Sequence, residues 1–397
     1  MSRVIYLLNE GLASTIIESQ VLDVARSTQA LGYRVEVISL ALKPAVYAAA
    51  RERRQLLERE YGIPICVLPG IHGAIPLSVL VNGLLLAGLL AVTGRRRGVI
   101  HARTEYSAAV ACAAARACGF SIIWDCRGDL LAEHAAKWRH AQGLFGSLLR
   151  WTGAIRVKRW RRAAARGARC AFFVSDALRS QIAEAAAVER TEVLANGANK
   201  NLFYFSASLR ETMRRGLSLR RGQILLVYAG STAPWQEISQ LTRLASELLR
   251  NNGGARFLVL SDNAAAIRDA FAPEVRSQVM TRFVALGEVN AYLNAADLAL
   301  MFKQDDPLSW VASPVKFAEY ALAGLPVFHN GTVAQIVAYG NALGNAFPVS
   351  RLRSVALEEC VLATSERTSM ANRCREVLSN ERRIEQLDRC YASLPGS

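Results

Sequence analysis

Short apolar segments alternate with amphipathic helical stretches along this chain, and the alternation starts again halfway through it. An apolar run at residues 3–8 leads into a helical stretch and then a second run, Val35–Leu40. The same order returns from Gln223–Gly230 to Arg256–Ser261. Strand–helix–strand repeats of this kind build parallel sheets covered by helices on both faces. We therefore predict an α/β protein with two Rossmann-like, doubly wound domains that face a ligand-binding cleft.

The positions of the apolar runs divide the 397 residues into parts. We predict an N-terminal Rossmann-like domain over residues 1–200 and a C-terminal one over residues 223–375. The polar segment 201–222 between them is predicted to be a linker with one basic helix. Residues 376–397 are predicted to form a C-terminal helix.

The net charge of +15 is concentrated in the first half of the chain. Residues 1–200 contain 27 Lys and Arg against 15 Asp and Glu, so this half carries most of the positive charge. Such an excess attracts an anionic partner, either nucleic acid or an anionic membrane face. The eight cysteines form no C-x-x-C pair or metal-ligand spacing, which is typical of reduced thiols in a cytoplasmic protein.

The segment Ser313–Val327 has the features of a helix that holds a diphosphate. Ser313 is a good N-cap, Pro314 suits the first helical position, and Gly324 ends the helix. Lys316 and Glu319 lie three residues apart and therefore on one face. A helix N-terminus and a cation suit phosphates, and a carboxylate suits sugar hydroxyls. The alternative is an ordinary capped helix with a Lys/Glu pair.

Glu319-Tyr-Ala-Leu-Ala-Gly-Leu-Pro-Val resembles the nucleotide-sugar signature of glycosyltransferase family 4, whose members have the GT-B fold. The resemblance implies that Glu319 binds the ribose of a donor bound by the C-terminal domain, and that residues 1–200 are the acceptor side. It also places residues 376–397 back on the N-terminal domain. Family members often carry another Glu eight positions before Glu319, where this chain has Val311.

Two further segments of the C-terminal domain are candidates for the donor site. Gly230 ends an apolar strand, where a glycine lets the backbone approach a diphosphate closely and the Ser231 hydroxyl can donate to its oxygens; the alternative is an ordinary strand-to-helix turn. The Arg and Lys that many family members carry after this glycine are absent here, and Trp235-Gln236 is the expected substitute near the donor. Lys303 follows the strand 298–302, so we expect Lys303, Lys316 and Ser313 to bind the diphosphate with the glycine loop.

Polar residues at strand ends of the N-terminal domain are candidates for the acceptor side. The segments His101–Arg103 and Asp125–Arg127 each put charged residues at the end of a predicted buried strand. The alternative is therefore a structural ion pair of Asp125 with Arg103 or Arg127. The candidates are Asn9, Gly11, Ser14, His101, Arg103, Asp125 and Arg127.

Two segments of the first half suggest contact with a membrane. Residues 61–94 contain no Asp, Glu, Lys or Arg, and their apolar part, 74–93, is either a buried helix or a helix docked into one leaflet. Residues 134–175 contain ten Lys and Arg and no acid, with Trp and Leu interleaved. A solvated basic helix is the alternative, and nucleic acid is not expected because no recognised binding module is present. The predicted membrane contacts are Trp138, Trp151, Lys158, Arg159 and Trp160.

These observations predict a glycosyltransferase on the cytoplasmic face of the cell membrane. By the resemblance it moves a sugar from a nucleotide-diphosphate donor to a lipid-linked glycan acceptor with retention, in the synthesis of cell-surface polysaccharide. The D-x-D motif of metal-dependent glycosyltransferases is absent, so neither a metal nor a cofactor is expected. The alternatives are a catalytically weak scaffold subunit of the same fold, or a sugar-nucleotide epimerase.

Overall fold

The computed structural model describes residues 2–13, 17–138, 143–233 and 235–394, without the side chains of Ser19, Arg116, Ala117 and Phe145. The chain divides into two compact units. Unit 1 comprises Met1–Leu194 together with Arg383–Ser397, and unit 2 comprises Ala195–Arg382.

Unit 1 is built on a parallel sheet that has seven strands in the described residues, in the order β3-β2-β1-β4-β5-β6-β7. The strands are nearly continuous apolar runs because helices cover both faces of such a sheet. They are β1 (Arg3–Leu8), β2 (Arg34–Ala41), β3 (Ile65–Pro69), β4 (Gly98–Arg103), β5 (Phe120–Cys126), β6 (Cys170–Phe173) and β7 (Thr191–Val193). The sequence analysis missed β3, whose half-buried residues give a weak pattern.

The helices of unit 1 connect these strands. A single π-helical turn, Glu18–Leu22, precedes the first helix, and a 3₁₀ helix, Ala183–Ala187, follows the seventh. The α-helices are α1 (Asp23–Ala30), α2 (Pro44–Tyr61), α3 (Ser78–Val92), α4 (Thr104–Cys118), α5 (Leu130–Lys137), α6 (Gly143–Gly167) and α7 (Asp176–Gln181).

Unit 2 has a second parallel sheet, with six strands in its described residues and the order β10-β9-β8-β11-β12-β13. The central strands are buried along their whole length and carry the core. The strands are β8 (Leu225–Ala229), β9 (Arg256–Leu260), β10 (Val279–Arg282), β11 (Leu298–Met301), β12 (Val327–His329) and β13 (Ala346–Pro348).

The helices of unit 2 include two 3₁₀ segments, Pro273–Gln278 and Leu357–Cys360. The α-helices are α8 (Ala207–Gly216), α9 (Ile238–Asn251), α10 (Ala264–Asp269), α11 (Leu286–Ala295), α12 (Pro307–Trp310), α13 (Val315–Leu322), α14 (Ala334–Leu343), α15 (Arg351–Ser354) and α16 (Thr364–Leu378).

The segment 201–222, predicted as a linker, is part of unit 2. Its helix α8 packs on α11, and Arg210 and Arg214 both pair with the buried carboxylate of Asp297. A free linker would leave Asp297 buried without a counter-charge, whereas the two guanidinium groups neutralise it.

The last helical region is broken at Ser379, which has extended backbone, and the chain continues as α17 (Asn380–Ala392). The backbone of Ala198 fills the break: its N–H donates to Leu378 O, and its carbonyl accepts from Asn380 N–H, both at 2.9 Å. From Arg383 on, α17 belongs to unit 1.

Candidate functional site

The sheet of unit 2 reverses its winding between β8 and β11, which are neighbours although two strands, β9 and β10, separate them in sequence order. In doubly wound sheets ligands bind beyond the carboxyl ends of the strands at such a switch point. Gly230 follows β8 and Lys303 comes shortly after β11. The predicted donor residues Gly230 and Lys303 therefore lie at this edge of the sheet.

Gly230 is required by the packing of the protein itself. A Cβ atom at this position would lie 2.7 Å from the hydroxyl oxygen of Tyr228, and that hydroxyl donates to the carbonyl of Ser231 at 2.7 Å. The Tyr228 hydroxyl therefore explains why a glycine stands here, and the contact of Gly230 with a diphosphate stays a prediction. The Ser231 side chain is exposed, and its hydroxyl oxygen accepts from the N–H of Ala233 at 3.4 Å.

The Trp235-Gln236 pair is joined to the loop that carries Lys303. The carbonyl of Trp235 accepts a 3.0 Å hydrogen bond from the N–H of Gln304. Gln236, Gln304 and Asn263 line one open pocket of about 300 Å³. The Trp235 side chain is half-exposed beside it.

Lys303 is held by the neighbouring strand end. Its carbonyl accepts from the Asn330 side chain at 2.7 Å and from the Thr332 hydroxyl at 3.3 Å, and its N–H donates to Asn330 at 3.3 Å. Burial lowers the pKa of Lys303 to about 8, and Asp306 opposes this shift only in part. The ammonium is therefore a cation below pH 8 and titrates close to neutrality.

Helix α13 is anchored on the end of β8. The hydroxyl of Tyr320 accepts from the N–H of Ala229 at 2.7 Å and donates to its carbonyl at 3.2 Å. One turn of the same helix places Lys316 against Glu319, where Nζ donates to Oε2 at 2.8 Å. Glu319 is only 4% exposed, so this contact provides the counter-charge for a buried carboxylate.

The predicted N-cap of α13 is wrong. Pro314 has extended backbone and is itself the N-cap, so the helix begins at Val315. Ser313 lies too early to cap it. Its hydroxyl accepts from the N–H of Asn196 at 2.9 Å, while the Asn196 amide donates to Ser313 O at 2.6 Å. The first N–H groups of α13 receive no side-chain cap and are available to an anion.

Val311 is a buried apolar side chain just after α12. The nearby carboxylate of Asp306 caps that short helix by accepting from Ser309 N–H at 2.8 Å. Val311 can therefore shape this part of the unit but offers no hydrogen bond from its side chain.

In unit 1 the corresponding switch lies between β1 and β4. Asn9 follows β1, and its side-chain oxygen Oδ1 accepts from the hydroxyls of Thr104 at 2.8 Å and Ser107 at 3.0 Å. Gly11 has φ +82°, a conformation that suits glycine. The predicted residue Ser14 lies outside the described residues.

His101, Asp125 and Arg127 form one buried polar group. Nε2 of His101 lies 3.4 Å from Asp125 Oδ2, and Nη1 of Arg127 lies 3.3 Å from Oδ1. Burial alone would raise the pKa of Asp125, but Arg127 and His101 outweigh it and hold the pKa well below its usual range. Asp125 is thus a fixed anion that orients the imidazole and the guanidinium.

Arg103 is not the partner of Asp125 that sequence reasoning considered. It pairs with Glu10 and donates to the Gln20 side chain at 3.1 Å. A cavity of about 10 Å³, enough for one water, lies beside Arg103, His101 and Asp125.

Sequence reasoning missed the residues that α17 and β1 add to this group. The Tyr391 hydroxyl lies 2.8 Å from Nδ1 of His101 and 2.9 Å from the Tyr6 hydroxyl. Arg383 lines the same small cavity, and burial lowers its pKa to about 9. The available signal was the helical spacing of Arg383, Leu387 and Tyr391, which puts them on one face of α17.

The predicted membrane residues differ in how much of each side chain is exposed. Trp151, Lys158 and Arg159 are exposed on α6, and Trp138 is half-buried at the end of α5. Trp160 is half-buried, because its ring packs edge-to-face on Tyr106 with centroids 4.8 Å apart. Helix α3 buries one face and exposes the other, and no helix within the described ranges combines the length and apolar character needed to span a bilayer.

Unit 1 resembles a known protein family over most of its length. Residues 17–197 match the glycosyl transferase 4-like domain family. No curated protein sequence matches the chain closely enough to count as a relative.

Solved structures of similar fold extend over nearly the whole chain. Anabaena HepE in complex with UDP has a TM-score of 0.71 at 15% identity and covers 99% of this chain and 100% of its own. A glycosyltransferase from Rickettsia africae has a TM-score of 0.68 at 12% identity, covering 98% of each chain. WaaG, a glycosyltransferase involved in lipopolysaccharide biosynthesis, has a TM-score of 0.61 at 15% identity, covering 98% and 100%. Residues 17–197 therefore resemble the glycosyl transferase 4-like domain family, and the chain as a whole has the GT-B fold of these solved structures.

Proposed function

We propose that this protein is a glycosyltransferase that moves a sugar from a nucleoside diphosphate donor to a lipid-linked glycan, in the synthesis of cell-surface polysaccharide. The observation that carries the donor assignment is the placement of Lys303, the Lys316–Glu319 pair and the uncapped start of α13 on one edge of the unit 2 sheet. UDP-sugars are the first candidates, because HepE is solved with UDP and with UDP-glucose.

The donor residues take complementary roles in this proposal. Glu319 accepts hydrogen bonds from the ribose hydroxyls, and Lys316 orients the carboxylate through its 2.8 Å hydrogen bond. Lys303 and the first N–H groups of α13 bind the diphosphate, with Ser231 as a further donor. The half-exposed Trp235 and the pocket beside Gln236 supply an apolar surface and amides for the remainder of the nucleotide.

The proposed transfer retains the configuration of the sugar. The bond between the anomeric carbon and the phosphate oxygen breaks, and the acceptor hydroxyl oxygen bonds to the same face of that carbon. The departing phosphate oxygen takes the acceptor proton. Negative charge builds on the nucleoside diphosphate, and Lys303, Lys316 and the helix N–H groups stabilise it in place. The proposal requires neither a metal nor a cofactor.

Unit 1 takes the acceptor in this proposal. Asn9, His101, Arg103, Asp125 and Arg127 lie at the carboxyl ends of β1, β4 and β5, where a doubly wound sheet binds its ligands. We further propose that the enzyme works at the cytoplasmic face of the cell membrane, where a lipid-linked acceptor is presented.

A panel of UDP-, GDP-, ADP- and dTDP-sugars tests the donor assignment by thermal stabilisation. A specific donor present at a hundred times its Kd adds about 2.7 kcal/mol to the free energy of unfolding. One nucleotide class should raise the unfolding midpoint, and the Lys303→Ala variant should lose most of that shift. A panel in which every nucleotide leaves the midpoint unchanged contradicts the donor site.

A further inference from the structure

A groove of about 1050 Å³ runs along α4 in unit 1, with α3 on one side and the second half of α6 on the other. Its floor is formed by the small residues Ala109, Cys112 and Ala113 of α4. Leu77 and Leu80 form one wall. Arg159, Arg162 and Arg166 form the opposite wall. We call this feature the α4 groove. Its two walls differ in chemistry, because one is apolar and the other is cationic.

The apolar wall belongs to a wider exposed face of α3. Ser78, Asn82, Leu86 and Leu90 are buried at intervals of four, which fixes the inner face of the helix. The opposite face carries leucines and valines at intervals of three and four, and Leu84 is 64% exposed. A contiguous row of exposed leucines is costly in water and marks a surface that another apolar phase covers. This row consists of Leu77, Leu80, Val81, Leu84, Leu85 and Val92.

The cationic wall is one face of α6. Arg159, Arg162 and Arg166 are spaced by three and four residues, so their side chains project in the same direction, and all three are exposed. Among the described residues none of the three forms an ion pair. Three like charges on adjacent turns repel one another, and an anion placed over them relieves the repulsion.

The same face of α6 becomes apolar towards its N-terminus. Leu144, Leu148 and Trp151 precede the arginines at intervals of four and three, and each is more than half exposed. A helix face with Leu and Trp beside Arg matches the interface of a bilayer, where acyl chains and phosphate groups lie within a few ångströms of each other.

We infer that the α4 groove and the exposed faces of α3 and α6 dock on a bilayer that contains anionic lipids. The arginines of α6 bind the headgroup phosphates, and the leucines of α3 and Trp151 enter the acyl boundary. The excess of 27 Lys and Arg over 15 Asp and Glu in residues 1–200 supplies the matching long-range attraction. Nucleic acid would satisfy the arginines but would leave the leucine row in water.

This inference deepens the proposed membrane association, and it rests on unit 1 alone. Vesicle binding and nucleotide-sugar binding are separate measurements, so failure of either proposal is distinguishable from failure of the other.

Co-sedimentation of the intact protein with vesicles tests the docking surface. We expect binding to phosphatidylcholine vesicles that contain phosphatidylglycerol and much weaker binding to phosphatidylcholine alone. The triple variant Arg159→Glu, Arg162→Glu, Arg166→Glu should lower the partition coefficient by about tenfold or more. The control variant Arg215→Glu, Arg220→Glu, Arg221→Glu changes the net charge equally at exposed positions of unit 2, and it should bind like the unmodified protein.

A second pair of variants tests the apolar wall. Leu80→Ser with Leu84→Ser should weaken binding to the anionic vesicles several-fold without lowering the unfolding midpoint, because both side chains are exposed. Leu31→Ser with Leu56→Ser removes two equally exposed leucines elsewhere in unit 1 and should leave binding unchanged. Equal losses in test and control variants would overturn the inference. Displacement of the protein from anionic vesicles by a single-stranded oligonucleotide would also overturn it.

Discussion

The hydroxyl of Tyr391 lies 2.8 Å from Nδ1 of His101, although 290 residues separate them. Tyr391 belongs to α17, and His101 to the central strand β4 of unit 1. Because the other ring nitrogen of His101 faces Asp125, the tyrosine fixes the orientation of the imidazole from the opposite side. The last helix of the chain therefore completes the polar group at the predicted acceptor side.

Removing this hydroxyl should affect stability and acceptor binding together. Tyr391→Phe deletes the contacts to His101 and Tyr6, and we expect a loss of about 1–2 kcal/mol in the free energy of unfolding. The KM for the acceptor should rise while the KM for the donor stays constant. Tyr33→Phe is the control, because Tyr33 donates to Asp388 of α17 at 2.7 Å and does not touch His101. Equal changes in acceptor KM for both variants would contradict a role through His101.

Nucleotide binding should weaken as the pH rises through 8. The pKa of Lys303 is lowered to about 8, so this cation loses its proton about two pH units earlier than an ordinary lysine. Between pH 7 and pH 9 the protonated fraction falls by about tenfold, and the affinity should fall with it. Lys303→Arg keeps the charge at these pH values and should flatten the profile. Titration calorimetry across this range measures the nucleotide affinity. If the affinity of Lys303→Arg falls with pH as steeply as that of the unmodified protein, Lys303 does not cause the pH dependence.

Two glycines with nearly the same backbone conformation allow the energetic cost of a positive φ to be measured apart from that of a steric clash. Gly324 has φ +68° and Gly344 has φ +69°. A Cβ atom at Gly324 would lie 2.7 Å from the carbonyl oxygen of Arg367, whereas the space around Gly344 is open. We expect Gly344→Ala to cost about 1 kcal/mol and Gly324→Ala about 3 kcal/mol in the free energy of unfolding. Chemical denaturation measures both losses. Equal losses would contradict a steric clash at Gly324, which follows the helix that carries Glu319.

The apolar runs were sufficient to predict the α/β class and the strands at the centre of each sheet, because those strands are buried on both faces. The edge strand β3 was not predicted, because most of its residues are only half-buried and give a weak apolar pattern. The spacing of Lys316 and Glu319 predicted their contact correctly, since it depends only on helix geometry.

What sequence could not show depends on contacts between distant segments. Ser313 looked like an N-cap, but the partner that occupies its hydroxyl, Asn196, lies 117 residues away. Trp160 looked like an exposed residue, but Tyr106 of another helix covers part of its ring. Helix α3 looked like a buried core helix, and only the packing reveals that it has an exposed face.

The central claim is that Glu319 binds the donor. Glu319→Ala should lower kcat/KM for sugar transfer by about a hundredfold or more, because the carboxylate is lost where it would accept hydrogen bonds from the ribose. Glu247→Ala is the matched control, since it breaks a 2.9 Å ion pair with Arg353 at a partly exposed position of the same unit. Both variants should keep a cooperative unfolding transition.

The most direct measurement is therefore the transfer of radiolabelled sugar from the donor identified by thermal stabilisation, compared among the unmodified protein, Glu319→Ala and Glu247→Ala. Loss of transfer in Glu319→Ala alone, with its fold retained, is the result we predict. Undiminished transfer by folded Glu319→Ala would contradict the assignment of the donor site.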